Sequence, residues 1–169
     1  MARVSTKKNK NIYQTTREGL GLTREAASQV LETIPPERLV RIESDKYAPY
    51  PDEVLTMARA YKEPALCNHY CARQCPIGQQ YVPEIKMREL SQIVLEMLAS
   101  LNSLQRRRDT LIDISADGTI AHGELQEFVN IQKELERITA TAEALRLWSE
   151  QMLATGRIDP AAYQALKNK

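Results

Sequence analysis

Three cysteines and a histidine lie close together and are the side chains of this sequence best suited to bind a soft metal ion. Cys67, Cys71 and Cys75 recur every four residues, and His69 stands between the first two. Thiolates and imidazoles are the usual ligands of structural zinc. On a continuous helix, however, the thiols share one side while His69 points the other way. We therefore expect free cysteines that pack a linker helix against its neighbouring domain, with metal binding or redox sensing as the alternative.

Residues 113–124 match the spacing of an EF-hand calcium loop, with Gly118 at the place where such a loop bends sharply. The candidate oxygen ligands are Asp113, Ser115, Asp117, Thr119 and Glu124. EF-hands work in pairs, and the sequence shows no second loop. The interpretation that we favour is a turn between two helices. In that turn Asp117-Gly118 would reverse the chain, Ile120 would pack inward and Glu124 would cap the next helix.

Other chemistry is not indicated. The sequence has no glycine-rich phosphate loop, no paired-histidine metal motif and no serine nucleophile elbow. We therefore expect a protein that is not an enzyme and needs no cofactor.

Composition favours an all-α protein with two parts of different charge. Hydrophobic residues make up 43% of the 169 residues and charged residues 27%, and there are only six glycines. Residues 1–62 carry 11 basic and 8 acidic side chains, whereas residues 84–169 carry 11 and 13. A mildly basic head on a mildly acidic body is typical of a DNA-binding module joined to a partner-binding or oligomerising region. The basic start lacks the apolar stretch of a signal peptide, so we expect a cytoplasmic protein with reduced thiols.

Four short helices are predicted to follow a disordered basic arm at residues 1–10. The first runs from Ile12 to about Leu20, and Thr23 caps the second. The second helix should bury Ala26, Ala27, Val30 and Leu31, and the fourth should bury Val54, Leu55, Met57 and Ala58. Between them a third helix, with proline in its first turn, turns Leu39 and Ile42 inward.

The second and third helices have the pattern of a helix-turn-helix unit, which reads DNA with its second helix in the major groove. With Leu39 and Ile42 inward, Glu37, Arg38 and Arg41 should project toward the bases. Arg24 and Lys46 are placed to contact phosphates, and the arm residues Lys7, Lys8 and Lys10 could add salt-dependent affinity.

These residues resemble the Cro/lambda-repressor-type helix-turn-helix family, also called the XRE family, over about residues 11–62. The matching positions are Leu22-Thr23, Ala27, Ile34, Leu39, Arg41-Ile42-Glu43, Pro49, Val54-Leu55 and Ala58. The resemblance implies a sequence-specific transcriptional regulator that binds operators as a dimer, with Pro36, Glu37 and Arg41 nearest the base edges. The sequence departs from the family in two places. Glu32-Thr33 replaces the usual glycine in a turn of one or two residues, and Pro36-Glu37 replaces uncharged or basic readers. The alternative is a helix-turn-helix fold that binds protein rather than DNA.

The rest of the chain is predicted to be a linker at residues 63–84 and an antiparallel helical hairpin at residues 85–169. Apolar heptad positions recur in two runs, which are Leu90, Val94, Met97, Leu101, Leu104 and Leu111, with Arg108 in the same register, and then Phe128, Ile131, Leu135, Ile138, Ala142, Leu145, Ser149 and Met152. A turn at residues 113–119 should join the two helices, and Asp159-Pro160 should start a short last helix. The apolar surface left over could be covered by a second copy in a four-helix bundle, which predicts a homodimer.

Overall fold

A computed structural model describes residues 9–116 and 118–168; for Ser115 only the backbone is described. The described part is all-α, as predicted, with ten helices and no strand. They are α1 Ile12–Gly19, α2 Arg24–Leu31, α3 Pro36–Glu43, α4 Pro51–Ala60, α5 Ala65–Arg73, α6 Gly78–Tyr81, α7 Leu90–Arg106, α8 Arg108–Ser115, α9 Leu125–Ala154 and α10 Pro160–Lys167. The first eight residues of the predicted basic arm, including Lys7 and Lys8, lie outside the described residues.

The chain divides into two compact units. The head unit consists of two segments, the described residues up to Glu84 and those from Glu150 onward. The hairpin unit is Ile85–Ser149. Residues 63–84, expected as a linker, form α5 and α6 within the head unit. Leu66 of α5 is fully buried and belongs to the same core as α1–α4. No helix among the described residues has both the length and the apolar character that crossing a membrane requires.

The core of the head unit is aliphatic with two tyrosines. Its buried side chains are Tyr13, Ala27, Leu31, Ile34, Leu39, Ile42, Val54, Met57, Ala58, Tyr61 and Leu66. The predicted inward pair on the third helix, Leu39 and Ile42, is confirmed. The prediction that Val30 and Leu55 are buried is wrong, since these residues are 52% and 47% exposed. Each lies about 100° around its helix from a buried neighbour, Leu31 or Val54, and these short helices bury only a narrow face.

The helix starts follow from caps that the sequence carries. The Thr23 hydroxyl accepts the N–H of Ala26 at 3.1 Å, and the Asn11 side chain accepts the N–H of Gln14 at 3.0 Å. Pro36 occupies the first turn of α3, where its missing N–H is not needed. The predicted turn of one or two residues is wrong, because residues 32–35 separate α2 from α3. Glu32 turns the chain with φ 57°, a conformation that usually selects glycine.

The hairpin unit contains a long antiparallel pair, α7 and α9. The predicted heptad register is rotated relative to the packed face. Leu90, Val94 and Leu101, expected in the seam, are 37%, 40% and 44% exposed, whereas Ile93 and Ser100 are buried. The packed face of α7 therefore lies roughly 50° around the helix from the predicted one. On α9 Ile131 is buried as predicted, but Leu135 is 44% exposed.

The first long helix is not continuous, contrary to the prediction. Its backbone leaves the helical conformation at Arg107 (φ −103°, ψ 6°), and α8 starts at the next residue. Arg108, predicted in the seam, is 63% exposed at its side chain and pairs with Asp109, while Arg107 forms the ion pair with Glu127 of α9. The predicted last helix is confirmed as α10, where the Asp159 carboxylate accepts the N–H of Ala161 at 2.9 Å.

Gly78 gives a direct test of the packing between α5 and α6. A Cβ built on Gly78 would lie 2.1 Å from the carbonyl oxygen of Cys71, a backbone atom that cannot rotate away. We expect Gly78→Ala to lower the free energy of unfolding by about 1–3 kcal/mol in a urea titration. The matched control is Gly19→Ala at the end of α1, where a Cβ would meet nothing within 4 Å. Equal stability of the two variants would contradict this close approach.

Candidate nucleic-acid interface

The outward face of α3 is open and chemically mixed. Leu39 and Ile42 point into the core, which leaves Glu37, Val40 and Arg41 exposed on the other side of the helix. Pro36 is half-buried at its start. The face therefore presents one carboxylate, one branched aliphatic side chain and one guanidinium.

A buried ion network fixes α3 against the two helices before it. Arg17 of α1 donates to both carboxylate oxygens of Glu43, from Nε at 2.6 Å and from Nη2 at 2.8 Å. Arg24 of α2 donates to the same carboxylate at 2.8 Å. The side chains of Arg17 and Glu43 are only 5% and 2% exposed. Arg17 also donates to the carbonyl of Leu22 at 2.5 Å, so one guanidinium ties together α1, the entry to α2 and the end of α3.

Arg24, which was predicted to contact phosphate, is only partly engaged within the protein. It lies in the first turn of α2, where free backbone N–H groups favour an anion. Its Nε donates to Glu43, but the side chain is 34% exposed, and the N–H groups of Nη1 and Nη2 can still donate to a phosphate. Glu43 thus fixes the Arg24 side chain at Nε, while its terminal nitrogens remain at the surface.

Arg38 does not project outward as predicted. It donates to both oxygens of Glu53 at 2.7 Å and to the carbonyl of Ala48 at 3.1 Å, and its guanidinium lies 4.9 Å from the ring centre of Tyr50. Burial would raise the pKa of Glu53, but hydrogen bonds from Arg38 and the Tyr50 N–H outweigh it and the pKa is lowered. The pair therefore stabilises the fold at neutral pH, and this contribution is lost as the pH falls through the lowered pKa.

Arg41 remains as the exposed cation of the α3 face. Its guanidinium lies 5.7 Å from the ring centre of Tyr47, which is 59% exposed in the loop after α3. Lys46 is exposed beside it. Lys10, predicted as part of the arm, pairs instead with Glu18 at 2.7 Å.

Two features of this surface were missed from the sequence. One is the pair of tyrosines in the loop after α3, Tyr47 and Tyr50, which lie on either side of Ala48-Pro49. The other is the Arg17–Glu43 pair. Its signal was present, because Glu43 lies four residues after the core residue Leu39 and Arg17 four after Tyr13. Charges at such core-facing positions indicate buried partners.

The cysteines are spread along α5 and beyond its end. Cys67 and Cys71 lie on α5 and Cys75 follows it, and all three are half-buried free thiols. Burial raises the pKa of the Cys67 thiol and lowers the pKa of His69. The His69 ring packs edge-on against Tyr13 at 6.2 Å between ring centres. In the part of the chain that the structure describes, no three metal-ligating side chains come together.

The calcium-like segment is partly helical. Asp113 lies in the last turns of α8, so the predicted turn at residues 113–119 begins later than expected. Gly118 has φ 69°, and the Glu124 carboxylate accepts the N–H of Ala121 at 2.9 Å, as a helix cap does. Ile120, predicted to pack inward, is 43% exposed. Asp117 and the side chain of Ser115 lie outside what the structure describes; Thr119 lies between α8 and α9.

A scan against models of protein families, a search of curated proteins and a search of solved structures each find no match.

The buried network makes a strong prediction for stability. Glu43→Gln removes the carboxylate to which buried Arg17 donates and leaves only the carboxylate of Glu18, 3.6 Å from its Nη2. We therefore expect the free energy of unfolding to fall by about 3–5 kcal/mol. The matched control, Glu37→Gln on the exposed side of α3, should change it by under about 0.5 kcal/mol. Urea titration followed by circular dichroism measures both.

A double variant shows whether the loss of stability comes from an unpaired buried charge or from altered packing. Arg17→Met with Glu43→Leu leaves no buried charge at these two positions and should recover much of the stability that Glu43→Gln loses. If Glu43→Gln is as stable as Glu37→Gln, the network does not hold α3.

Proposed function

We propose that the protein is a cytoplasmic, sequence-specific DNA-binding transcriptional regulator whose head unit places α3 in the major groove. The observation that carries this proposal is α3 itself, a helix fixed from behind by the Arg17–Glu43–Arg24 network and open on the side away from the core. A reading helix needs both properties, because its side chains must be rigidly placed and must reach past the protein surface. Three free thiols fit a reducing compartment.

Each exposed side chain of the α3 face has a counterpart in the major groove. The Arg41 guanidinium can donate two hydrogen bonds to guanine, and stacking against Tyr47 limits the directions it can take. The Glu37 carboxylate can accept from the amino group of cytosine, and Val40 can contact a thymine methyl group. Arg24 and Lys46 lie outside the reading face and would serve the phosphates.

The resemblance to the Cro/lambda-repressor-type family supports the same proposal. The turn at Glu32 takes the positive φ for which that family commonly uses glycine. Because Arg38 is bound to Glu53, Arg41 is the main cation that α3 can offer to the base edges. We therefore expect modest affinity in which Arg41 contributes a large share.

The test uses the full chain and duplexes enriched by it from a random-sequence pool at about 50 mM salt. Arg41→Ala should weaken binding to the enriched duplexes about tenfold or more, because one bidentate base contact is lost. Arg59→Ala is the matched control, since it removes the same charge from an exposed position on α4. Fluorescence anisotropy measures both, and affinity should fall steeply as salt is raised.

Two outcomes would contradict DNA reading by α3. One is that the wild-type chain retains no duplex at low salt. The other is that Arg41→Ala and Arg59→Ala weaken binding equally. The first outcome would favour the alternative that the head binds protein. Val30, Val40 and Leu55, which are exposed apolar side chains of the head, support that second candidate.

We further propose that the hairpin unit forms a homodimer through one apolar face. This face, called the leucine face, consists of Leu90, Val94, Leu98 and Leu101 on α7 with Leu135 on α9, which are 37–51% exposed. Helical geometry places the four α7 side chains on one side of the packed seam. Within α7 the only charged residues are Glu96 and the terminal Arg106. A helix with so little charge is normally covered on more than one side.

A second copy is the cover that best fits this face. Its α7 side chains are uncharged, so two identical faces can meet across a two-fold axis without like-charge repulsion. Two antiparallel pairs joined in this way make a four-helix bundle. Such a dimer would present two copies of α3 to DNA, as a palindromic operator requires.

Leu98→Glu tests the leucine face. It puts a carboxylate in the middle of the proposed interface and should raise the dimer dissociation constant about 100-fold, measured by sedimentation velocity. Leu95→Glu is the matched control, because Leu95 is also exposed on α7 but lies about 60° further from the seam than Leu98. A monomeric wild-type chain would contradict the dimer, and equal dissociation by both variants would contradict the leucine face as its interface. Neither outcome affects the test of Arg41.

A further inference from the structure

The hairpin unit contains an open cavity that neither DNA reading nor the leucine face uses. Its volume is about 390 Å³, which is within the range of small-molecule sites. Small side chains form its walls: Ala99 and Ser100 from α7, and Ala140 and Thr141 from α9. Glu96 and two arginines, Arg88 and Arg137, complete the lining.

The cavity exists because the two helices meet here through small residues. Elsewhere the buried positions of the pair are filled by branched side chains such as Ile93 and Ile131. At the level of Ser100 and Thr141 the corresponding side chains are too short to fill the space between the helices. Helical geometry places Glu96 and Ala99 on the side of the α7 seam opposite the leucine face. A dimer through the leucine face would therefore leave the cavity open.

Ser100 provides a polar group inside this space. The residue is only 7% exposed, and none of the hydrogen bonds among the described residues involves its hydroxyl. The Thr141 hydroxyl differs, because it donates back to the carbonyls of Arg137 and Ile138 at 3.0 Å. The Ser100 hydroxyl lines the cavity and is therefore available to donate to a ligand oxygen there.

The two arginines provide hydrogen-bond donors for an anion. Arg137 is 69% exposed at its side chain and reaches Glu134 through Nη1 alone, at 3.0 Å. Arg88 reaches Glu96 through Nη1 alone. Each guanidinium has five N–H donors, so both retain donors for an anion. Each arginine is paired with one glutamate, so the four side chains have no net charge, and an anion would be bound through the remaining guanidinium N–H donors.

We propose that this cavity binds a small amphipathic carboxylate, with its short apolar body between Ala99 and Ala140 and its carboxylate toward Arg137 and Arg88. The Ser100 hydroxyl donates to the ligand. The site involves neither α3 nor the leucine face, so it goes beyond the proposed function and stands independently of it.

The probe is hexanoate, titrated into the full chain by isothermal calorimetry, with hexanamide as the uncharged analogue of the same length. For a ligand of this size we expect a Kd of about 1 mM for hexanoate. Hexanamide should bind about tenfold more weakly, because the charged hydrogen bonds to arginine are lost. Saturation-transfer NMR on the same samples confirms that the alkyl protons contact the protein.

Variants separate this cavity from binding elsewhere. Arg137→Ala should weaken hexanoate about tenfold. The matched control is Arg146→Ala, which removes an exposed arginine that also pairs with a glutamate three residues earlier on α9. Ala99→Leu narrows the cavity from an exposed position and should weaken hexanoate and hexanamide alike, and circular dichroism checks that it folds. Absence of hexanoate binding, equal binding of the two probes, or equal effects of the two arginine variants would overturn the proposal.

Discussion

The head unit depends on one carboxylate that lies between two arginines. Glu43 is nearly inaccessible to solvent and receives hydrogen bonds from Arg17 and Arg24. Desolvation of these charges is costly, and only good geometry with several hydrogen bonds offsets it. The geometry here includes a two-point contact from Arg17, which also binds the Leu22 carbonyl. Because the three residues come from α1, α2 and α3, the network admits essentially one arrangement of these helices.

That arrangement decides which side chains can meet a partner. With Leu39 and Ile42 in the core, α3 cannot rotate without breaking the contact at Glu43. A second ion pair then selects among the outward residues, since Glu53 of α4 holds Arg38 beside Tyr50. The exposed set on α3 is reduced to Glu37, Val40 and Arg41. The same pair that stabilises α3 against α4 thus takes away one of the two cations that the sequence offered for reading.

The head could be predicted well where local chemistry decides. Thr23 as a cap, proline in the first turn of α3 and the spacing of Leu39 and Ile42 act within a few residues, so the sequence states them directly. The destination of Arg38 could not be predicted in this way. It depends on Glu53, fifteen residues later, and nothing in the local pattern distinguishes an arginine that points to solvent from one that meets a distant carboxylate.

The hairpin unit shows a different limit. Its apolar stripe on α7 is wide enough for two neighbouring registers, one centred on Ile93 and Ser100 and the other on Leu90, Val94 and Leu101. Heptad spacing fits both, and the choice between them depends on contacts with α9. The break at Arg107 could not be predicted, because no proline or glycine lies near it in the sequence. The cavity could not be predicted either, because it depends on small side chains of two helices, such as Ser100 and Thr141, facing each other.

We propose that the network behind α3 holds the outer face of this helix in position for duplex DNA. The most direct measurement is a map of backbone amide shifts in ¹⁵N-labelled full chain as an enriched duplex is added at low salt. We expect the largest changes on α3, on the first turn of α2 and on the loop around Tyr47, with little change on α7. Changes confined to other surfaces, or none at saturating duplex, would contradict it.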